Sequence, residues 1–274
     1  MTDRYAVIGN PIAHTKSPLI HTSFAKTTGQ SLTYVALEAP IGGFAAKVDE
    51  FRRQGGSGLN ITAPFKLDAY AYATDLSARA KLAGAVNAMK FEGDRVFAEN
   101  FDGVGLTNDI RHNLGCPFAG KRVLVLGAGG AARGAVLPFL QQQPSGLWIA
   151  NRTPEKARAL ATQFSAYGTV RAAEYAELDS HGPFDLVVNA TSASLRGELP
   201  PVPAASFAKG CVAYELVYGK GMTPFLKLAR TAGAARLADG VGMLVEQAAE
   251  AFAWWREVRP ETQRVIAELT IPLD

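Results

Sequence analysis

Short apolar runs alternate with stretches of helical period from the N-terminus onward. Tyr5 to Ile8, Leu32 to Leu37 and Leu59 to Thr62 read as strands, and the segments between them, Ser17 to Thr28 and Phe44 to Gln54, read as helices. That rhythm predicts βαβ units and a mostly parallel sheet. Ser17-Pro18 reads as an N-cap followed by proline at the first helical position, with Gly29 as the stop. From Val86 to Glu99 the pattern changes: "VNAMKFEGDRVFAE" predicts two short strands around a turn at Glu92-Gly93-Asp94. "FDGVGLTNDIRHNLG" then predicts a connecting helix. A second alternating series passes through Val123, Leu147, Val170, Leu186 and Val212. Near the C-terminus Met243, Leu244, Ala248, Ala251, Phe252 and Trp255 keep helical spacing, which predicts one helix and, after Pro260, a second.

Composition narrows the function classes. The chain has 274 residues, 48% of them hydrophobic, enough for two ordinary cores. A formal net charge of +3 with scattered basic residues lacks the clustered stripe a nucleic-acid backbone requires, so no nucleic-acid partner is expected. No apolar run approaches the roughly 18 residues needed to span a bilayer, and the N-terminus runs straight into a strand, so a cytoplasmic protein without membrane contact is expected. Cys116 and Cys211 are isolated, and His14, His21, His112 and His181 show no metal-ligand spacing, so reduced thiols and no metal site are expected.

One stretch carries explicit nucleotide chemistry. "RVLVLGAGGAARGAVLPFL" is a buried strand that breaks into Gly127-Ala128-Gly129-Gly130-Ala131-Ala132 and restarts as a helix. Such glycines permit a tight turn and close backbone approach, and the new helix aims free N–H groups at a pyrophosphate. About 20 residues on, where a carboxylate usually receives the ribose hydroxyls, stand Asn151, Arg152 and Thr153, with Lys156 one turn further. A guanidinium grips a 2′-phosphate through paired charge-assisted hydrogen bonds, whereas a carboxylate repels it, so NADP is the expected cofactor. Thr153-Pro154 also serves to start the next helix, and an arginine at a strand end is often only a solvated charge.

In the first half, four polar stretches fall at or just after strand ends: "AHTKSP", "NITAPFK", "GAVN" and "ENFDG". Open α/β sheets bind ligands there. Their hydroxyls, amides, lysine and aspartate suit a small polyhydroxy acid, with Thr15 and Ser17 available to a carboxylate. Read singly, Lys66 is an ordinary exposed lysine in a first helical turn and Asp102 a helix cap.

The set "GNPIAHTKSP", "NITAPFK", "LAGAVNA", "NFDGVG", "GAGGAARG", "NRTPEKA", "NATS" and "DGVGMLVEQAA" resembles the shikimate dehydrogenase family along the whole chain and in the family's order. The resemblance implies reversible, NADPH-dependent reduction of 3-dehydroshikimate to shikimate, a step toward aromatic amino acids. It implies a catalytic pair, Lys66 and Asp102, and substrate contacts from Thr15, Ser17, Asn60, Thr62, Asn87, Tyr218 and Gln247. It implies NADP contacts from Gly127, Ala128, Gly129, Gly130, Ala131, Asn151, Arg152, Thr153, Lys156, Thr191, Leu216 and Gly240. The expected fold is α/β in two domains: a substrate domain with a mostly parallel mixed sheet, 1–102 plus 241–274, and a Rossmann-like NADP domain, 103–240, with the C-terminal helices returning to the first. A homodimer stays open. Thr15 stands where the family more often has serine, Phe101 where "NTDG" is usual, Ala88 where threonine often follows the asparagine and Ala78 where many members carry Glu. Phe101 puts fine substrate preference in question. Two alternatives remain: a quinate or dual-specificity dehydrogenase, and a non-catalytic NADPH-binding regulator, which the presence of both Lys66 and Asp102 disfavours.

Overall fold

A computed structural model describes residues 2–273, and the chain packs as two compact units. One runs to Gly105 and resumes over Val245–Val265; the other covers Leu106–Leu244 and resumes at Ile266. The first unit contains β1 (Asp3–Gly9), α1 (Ser17–Thr28), β2 (Leu32–Glu38), α2 (Phe44–Arg53), β3 (Gly56–Ile61), α3 (Lys66–Tyr72), β4 (Asp75–Leu76), α4 (Ala78–Ala83), β5 (Ala88–Glu92) and β6 (Arg95–Glu99). The helix α5 (Asp102–Asn108) leads out of it and ends in a π-helical turn, Asp109–Asn113. Its six strands lie in the order β2-β1-β3-β5-β6-β4. β1 is parallel to β2 and β3, while β5 is antiparallel to both β3 and β6. Two reversals cancel, so β1, β3 and β6 all end on one edge and β5 begins there. This shared edge positions the first site.

Side chains along β1 alternate between two buried faces, as the period of a strand requires. Ala6 and Ile8 join Phe44, Val48 and Phe51 of α2, together with Leu59, Ile61 and Phe65. Tyr5 and Val7 face the other way, against Tyr34, Phe101, Ala251 and Trp255. The Trp255 ring stacks on Tyr5 at 4.5 Å and donates from Nε1 to the Met89 carbonyl at 3.0 Å. Phe101 is buried in this cluster, edge-on to Trp254. Its side chain is core, which accounts for an aromatic residue beside Asp102.

The second unit is β7 (Arg122–Leu126), α6 (Gly130–Leu140), β8 (Gly146–Ala150), α7 (Pro154–Phe164), β9 (Val170–Ala173), α8 (Leu178–His181), β10 (Phe184–Asn189), β11 (Phe207–Glu215), α9 (Pro224–Thr231) and β12 (Arg236–Ala238). Every pairing is parallel, in the order β12-β11-β10-β7-β8-β9. Strand order reverses between β7 and β10, the point where a doubly wound sheet opens a crevice beyond its strand ends. The helices α10 (Val241–Arg256) and α11 (Gln263–Leu269) follow. Most of α10 returns to the first unit, through Ala251, Phe252 and Trp255. The expectation kept 241–274 together; the residues from Ile266 instead go with the second unit, where Leu273 packs on the core and its carbonyl accepts from Arg230. Among the described residues, no helix is long and apolar enough to cross a membrane.

The start of α1 differs from its expected cap. Ser17 lies inside the helix, and the Thr15 hydroxyl accepts from the Ser17 N–H at 3.3 Å and donates to the Ser17 hydroxyl at 3.2 Å. One turn on, His21 is fully buried, stacked on Tyr34 at 4.2 Å, with neither ring nitrogen hydrogen-bonded. Burial lowers its pKa to about 3.

Because the unfolded chain binds a proton at His21 near pH 6.5 and the folded chain does not until about 3, stability falls as pH drops through that window. Urea unfolding of wild type should lose about 2 kcal/mol more than His21→Phe between about pH 7.5 and about pH 5. Equal losses in both proteins would show that His21 is not held neutral.

Candidate active site and nucleotide pocket

At the shared edge of the first sheet, Lys66 opens α3 after β3 and Asp102 opens α5 after β6. Lys66 Nζ donates to Asp102 Oδ2 at 2.5 Å, with the lysine side chain 34% exposed and the aspartate 15%. The backbone holds both ends: the Val86 N–H donates to the Lys66 carbonyl at 3.0 Å, and the Asp102 N–H donates to Asn100 Oδ1 at 3.1 Å. Asp102 is therefore an ion-pair partner as well as the first residue of its helix.

Asn87 organises this edge. It is 2% exposed at the start of β5. Its Nδ2 donates to the other Asp102 oxygen at 2.9 Å and to Gln247 Oε1 at 3.1 Å, while its Oδ1 accepts from the Phe101 N–H at 2.8 Å. An amide with both ends committed has one orientation. Beside it, Asn60 donates to the Asn87 carbonyl at 3.4 Å and accepts from the Tyr34 hydroxyl at 2.7 Å. Thr62 follows β3, its N–H bonded to Ile8 at 3.0 Å, and its methyl lies 2.5 Å from where a Cβ on Gly9 would stand. Gln247 reaches this network because α5 and α10 pack closely: a Cβ on Gly105 would stand 2.5 Å from the Gln247 nitrogen.

The structure thus gathers Lys66, Asp102, Asn60, Asn87 and Gln247 in one hydrogen-bonded network, with Thr15 and Ser17 bonded to each other at the start of α1. Tyr218 belongs to the second unit, where it is 44% exposed. Tyr34, which fixes Asn60 from behind, had no signal in the sequence beyond its place in a strand.

In the second unit, a cavity of about 490 Å³ lies over the strand ends. It is lined by the turn Gly127 to Ala131, by Asn151, Arg152, Thr153 and Lys156, and by Thr191. Gly127 needs its lack of a side chain: its φ is +108°, and a Cβ there would approach the Ala190 carbonyl to 3.0 Å. At Gly129 and Gly130 a Cβ would meet no protein atom within 4 Å, so the space over the start of α6 is open to a ligand. No side chain caps that helix start, which leaves its N–H groups for an anion.

Arg152 is exposed at the mouth, with no ion pair among the described residues. Its charge reaches both Tyr175, whose hydroxyl burial pushes up to about 12, and Glu198, which the adjacent Arg196 holds below the usual carboxylate range. Thr153 begins α7 without a side-chain bond, and Asn151 Nδ2 donates to the Thr153 carbonyl at 2.9 Å. Leu216 and Gly240 are not among the lining residues; they touch each other, since a Cβ on Gly240 would stand 2.2 Å from the Leu216 oxygen. Tyr175, Arg196 and Glu198 also line the wall, and no motif in the chain marks them. Among the described residues, no group of three metal-binding side chains occurs.

Three family models match the chain: "Shikimate dehydrogenase substrate binding domain" over residues 7–89, "Shikimate / quinate 5-dehydrogenase" over 110–196 and "Shikimate 5′-dehydrogenase C-terminal domain" over 240–270. The chain is 54% identical over 269 residues to a shikimate dehydrogenase (NADP(+)) of Nitrosospira multiformis, covering 98% of each chain. It is 55% identical over 265 residues to that of Chromobacterium violaceum, covering 97% of each. Among solved structures, an Ael1 enzyme from Pseudomonas putida superposes with a TM-score of 0.95 at 60% identity over 100% of both chains. A shikimate 5-dehydrogenase from Thermus thermophilus in complex with NADP(H) and shikimate gives 0.86 at 32% identity, over 97% of this chain and 98% of that one. With full-length identity of this order and a charge-paired lysine and aspartate on the substrate-domain side, the chain belongs to the shikimate dehydrogenase family.

Proposed function

We propose that this chain interconverts 3-dehydroshikimate and shikimate with NADP(H) as cofactor, and the Lys66–Asp102 pair is the observation that carries the reading. A ketone accepting a hydride builds negative charge on its oxygen and needs a proton there, and an ammonium held at a fixed point supplies one. Bound NADPH supplies the hydride. Lys66 donates the proton to the carbonyl oxygen during reduction and takes it back during oxidation. Asp102 accepts the Lys66 hydrogen bond and keeps the ammonium aimed; its second oxygen is fixed by Asn87.

The polar side chains around this pair suit a polyhydroxylated carboxylic acid. Thr15 and Ser17 offer hydroxyls to the carboxylate, and Asn60, Thr62, Asn87 and Gln247 offer hydroxyl and amide groups to the ring. On the cofactor side, the open space above Gly129 and Gly130 fits a pyrophosphate against the start of α6. Arg152, with Lys156 and Thr153 beside it, fits a 2′-phosphate. The same reading places the enzyme in the cytoplasm, with Cys116 and Cys211 as buried free thiols, and needs no metal, nucleic acid or membrane.

Lys66→Ala should lower kcat by about 10²- to 10⁴-fold with a far smaller change in the shikimate KM; steady-state kinetics with full turnover retained would remove the acid/base role. Arg152→Ala should raise the NADP⁺ KM by about tenfold or more while leaving the NAD⁺ KM near its wild-type value, because only the phosphate loses a partner. Equal losses for both cofactors would show that Arg152 does not read the 2′-phosphate.

A further inference from the structure

Glu215 ends β11 directly beside Asn189, the last residue of β10 and its partner in register. The carboxyl group is fully buried. Its four hydrogen bonds all come from neutral donors: Asn189 Nδ2 at 2.9 Å, the Ser194 hydroxyl and the Thr223 hydroxyl at 3.2 Å on Oε2, and the Val217 N–H at 3.3 Å on Oε1. Among the described residues no cation pairs with it, and burial holds its pKa above the ordinary carboxylate value. A carboxyl group without a counter-ion is costly to bury and does little for stability that a packed apolar residue would not do. Its value lies in what it forces on its neighbours.

An amide N–H can only donate. With the Asn189 Nδ2 turned to Glu215, Asn189 Oδ1 must face the other way, and there it accepts from both the Thr191 N–H at 3.1 Å and the Thr191 hydroxyl at 2.7 Å. The Thr191 proton is thereby spent inward. Its oxygen accepts from the Ala193 N–H at 3.3 Å and keeps a lone pair for the cavity that Thr191 lines. On the opposite side, the Val217 N–H ties Glu215 to the segment that follows Leu216, whose own N–H bonds to the Asn189 carbonyl at 3.0 Å. One carboxylate therefore sets the conformation of two cofactor-side loops and the polarity of the hydroxyl between them.

We infer that Glu215 is a positioning residue of the nucleotide pocket, acting through Asn189 to present Thr191 as a hydrogen-bond acceptor to an N–H or O–H group of the bound cofactor. The inference rests on the proposed NADP reading of that pocket. Glutamine cannot replace it. With its amide nitrogen on one side it confronts the Val217 N–H, and flipped it confronts Asn189 Nδ2; either way a donor meets a donor.

The test is equilibrium binding by isothermal titration calorimetry on the full chain, with NADP⁺ and shikimate titrated separately. Glu215→Gln should weaken NADP⁺ by about tenfold or more, the size expected when one buried donor loses its acceptor, and leave shikimate affinity within about twofold. Thr191→Val should weaken NADP⁺ by itself but add little in the Glu215→Gln background, since the two act in series. Unchanged NADP⁺ affinity in Glu215→Gln, equal weakening of both ligands, or fully multiplicative losses would overturn the inference. Should Glu215→Gln fail to fold, Asn189→Ala removes the link between the carboxylate and Thr191, and it should still weaken NADP⁺ selectively; no effect there overturns the inference as well. A wild-type protein that binds NAD⁺ in preference to NADP⁺ would count against the functional reading and not against the role of Glu215.

Discussion

A short ion pair between an ammonium and a carboxylate, Lys66 with Asp102, is the interaction around which the first unit is arranged. Ion pairs this exposed contribute little to stability, because water competes for both partners and holding two side chains in register costs entropy. This one is held by other means. Asn87 fixes the far oxygen of Asp102, the Phe101 N–H and Gln247 fix Asn87, and the Val86 N–H fixes the backbone of Lys66. The topology brings these segments together: β3 and β6 end, and β5 begins, on the same edge. A proton donor has to stand at one point relative to the reacting oxygen, and a network of committed hydrogen bonds achieves that where a lone surface pair would wander.

In the proposed function the second unit has a different task, the recognition of a multiply charged nucleotide. Its sheet opens between β7 and β10, where the glycine turn brings bare backbone to the surface and the start of α6 adds unpaired N–H groups. Arg152, just beyond the end of β8, lines the cavity with a cation, and in the proposed function it meets a 2′-phosphate that a carboxylate would repel. Behind this front lies the buried network of Glu215, Asn189, Ser194 and Thr223, which turns the geometry of two strand ends into the orientation of Thr191. Both units thus use one device: a buried asparagine whose two ends are committed, Asn87 in one and Asn189 in the other.

Much of this was legible in the chain because the signals are local. The βα rhythm, the hairpin at Gly93 and the glycine turn followed by Asn151-Arg152-Thr153 each depend on residues close in sequence. What escaped notice depends on distant residues meeting. Glu215 carries no motif, and its importance appears only when β10 and β11 lie side by side. The two-residue strand β4 is too short for its period to show. Thr15 rather than Ser17 supplies the hydroxyl at the start of α1, since both are capping residues and only the backbone decides between them. Phe101, suspected of altering the site, packs into the aromatic cluster with Trp254, while its backbone N–H serves Asn87.

The central claim is that the polar edge of the first unit is shaped for shikimate and the pocket of the second for a 2′-phosphorylated dinucleotide. Its most direct test is the ratio of kcat/KM for shikimate with NADP⁺ to that for quinate with NAD⁺, measured on the purified chain. The account predicts a ratio far above one, and a higher efficiency with quinate and NAD⁺ would contradict it.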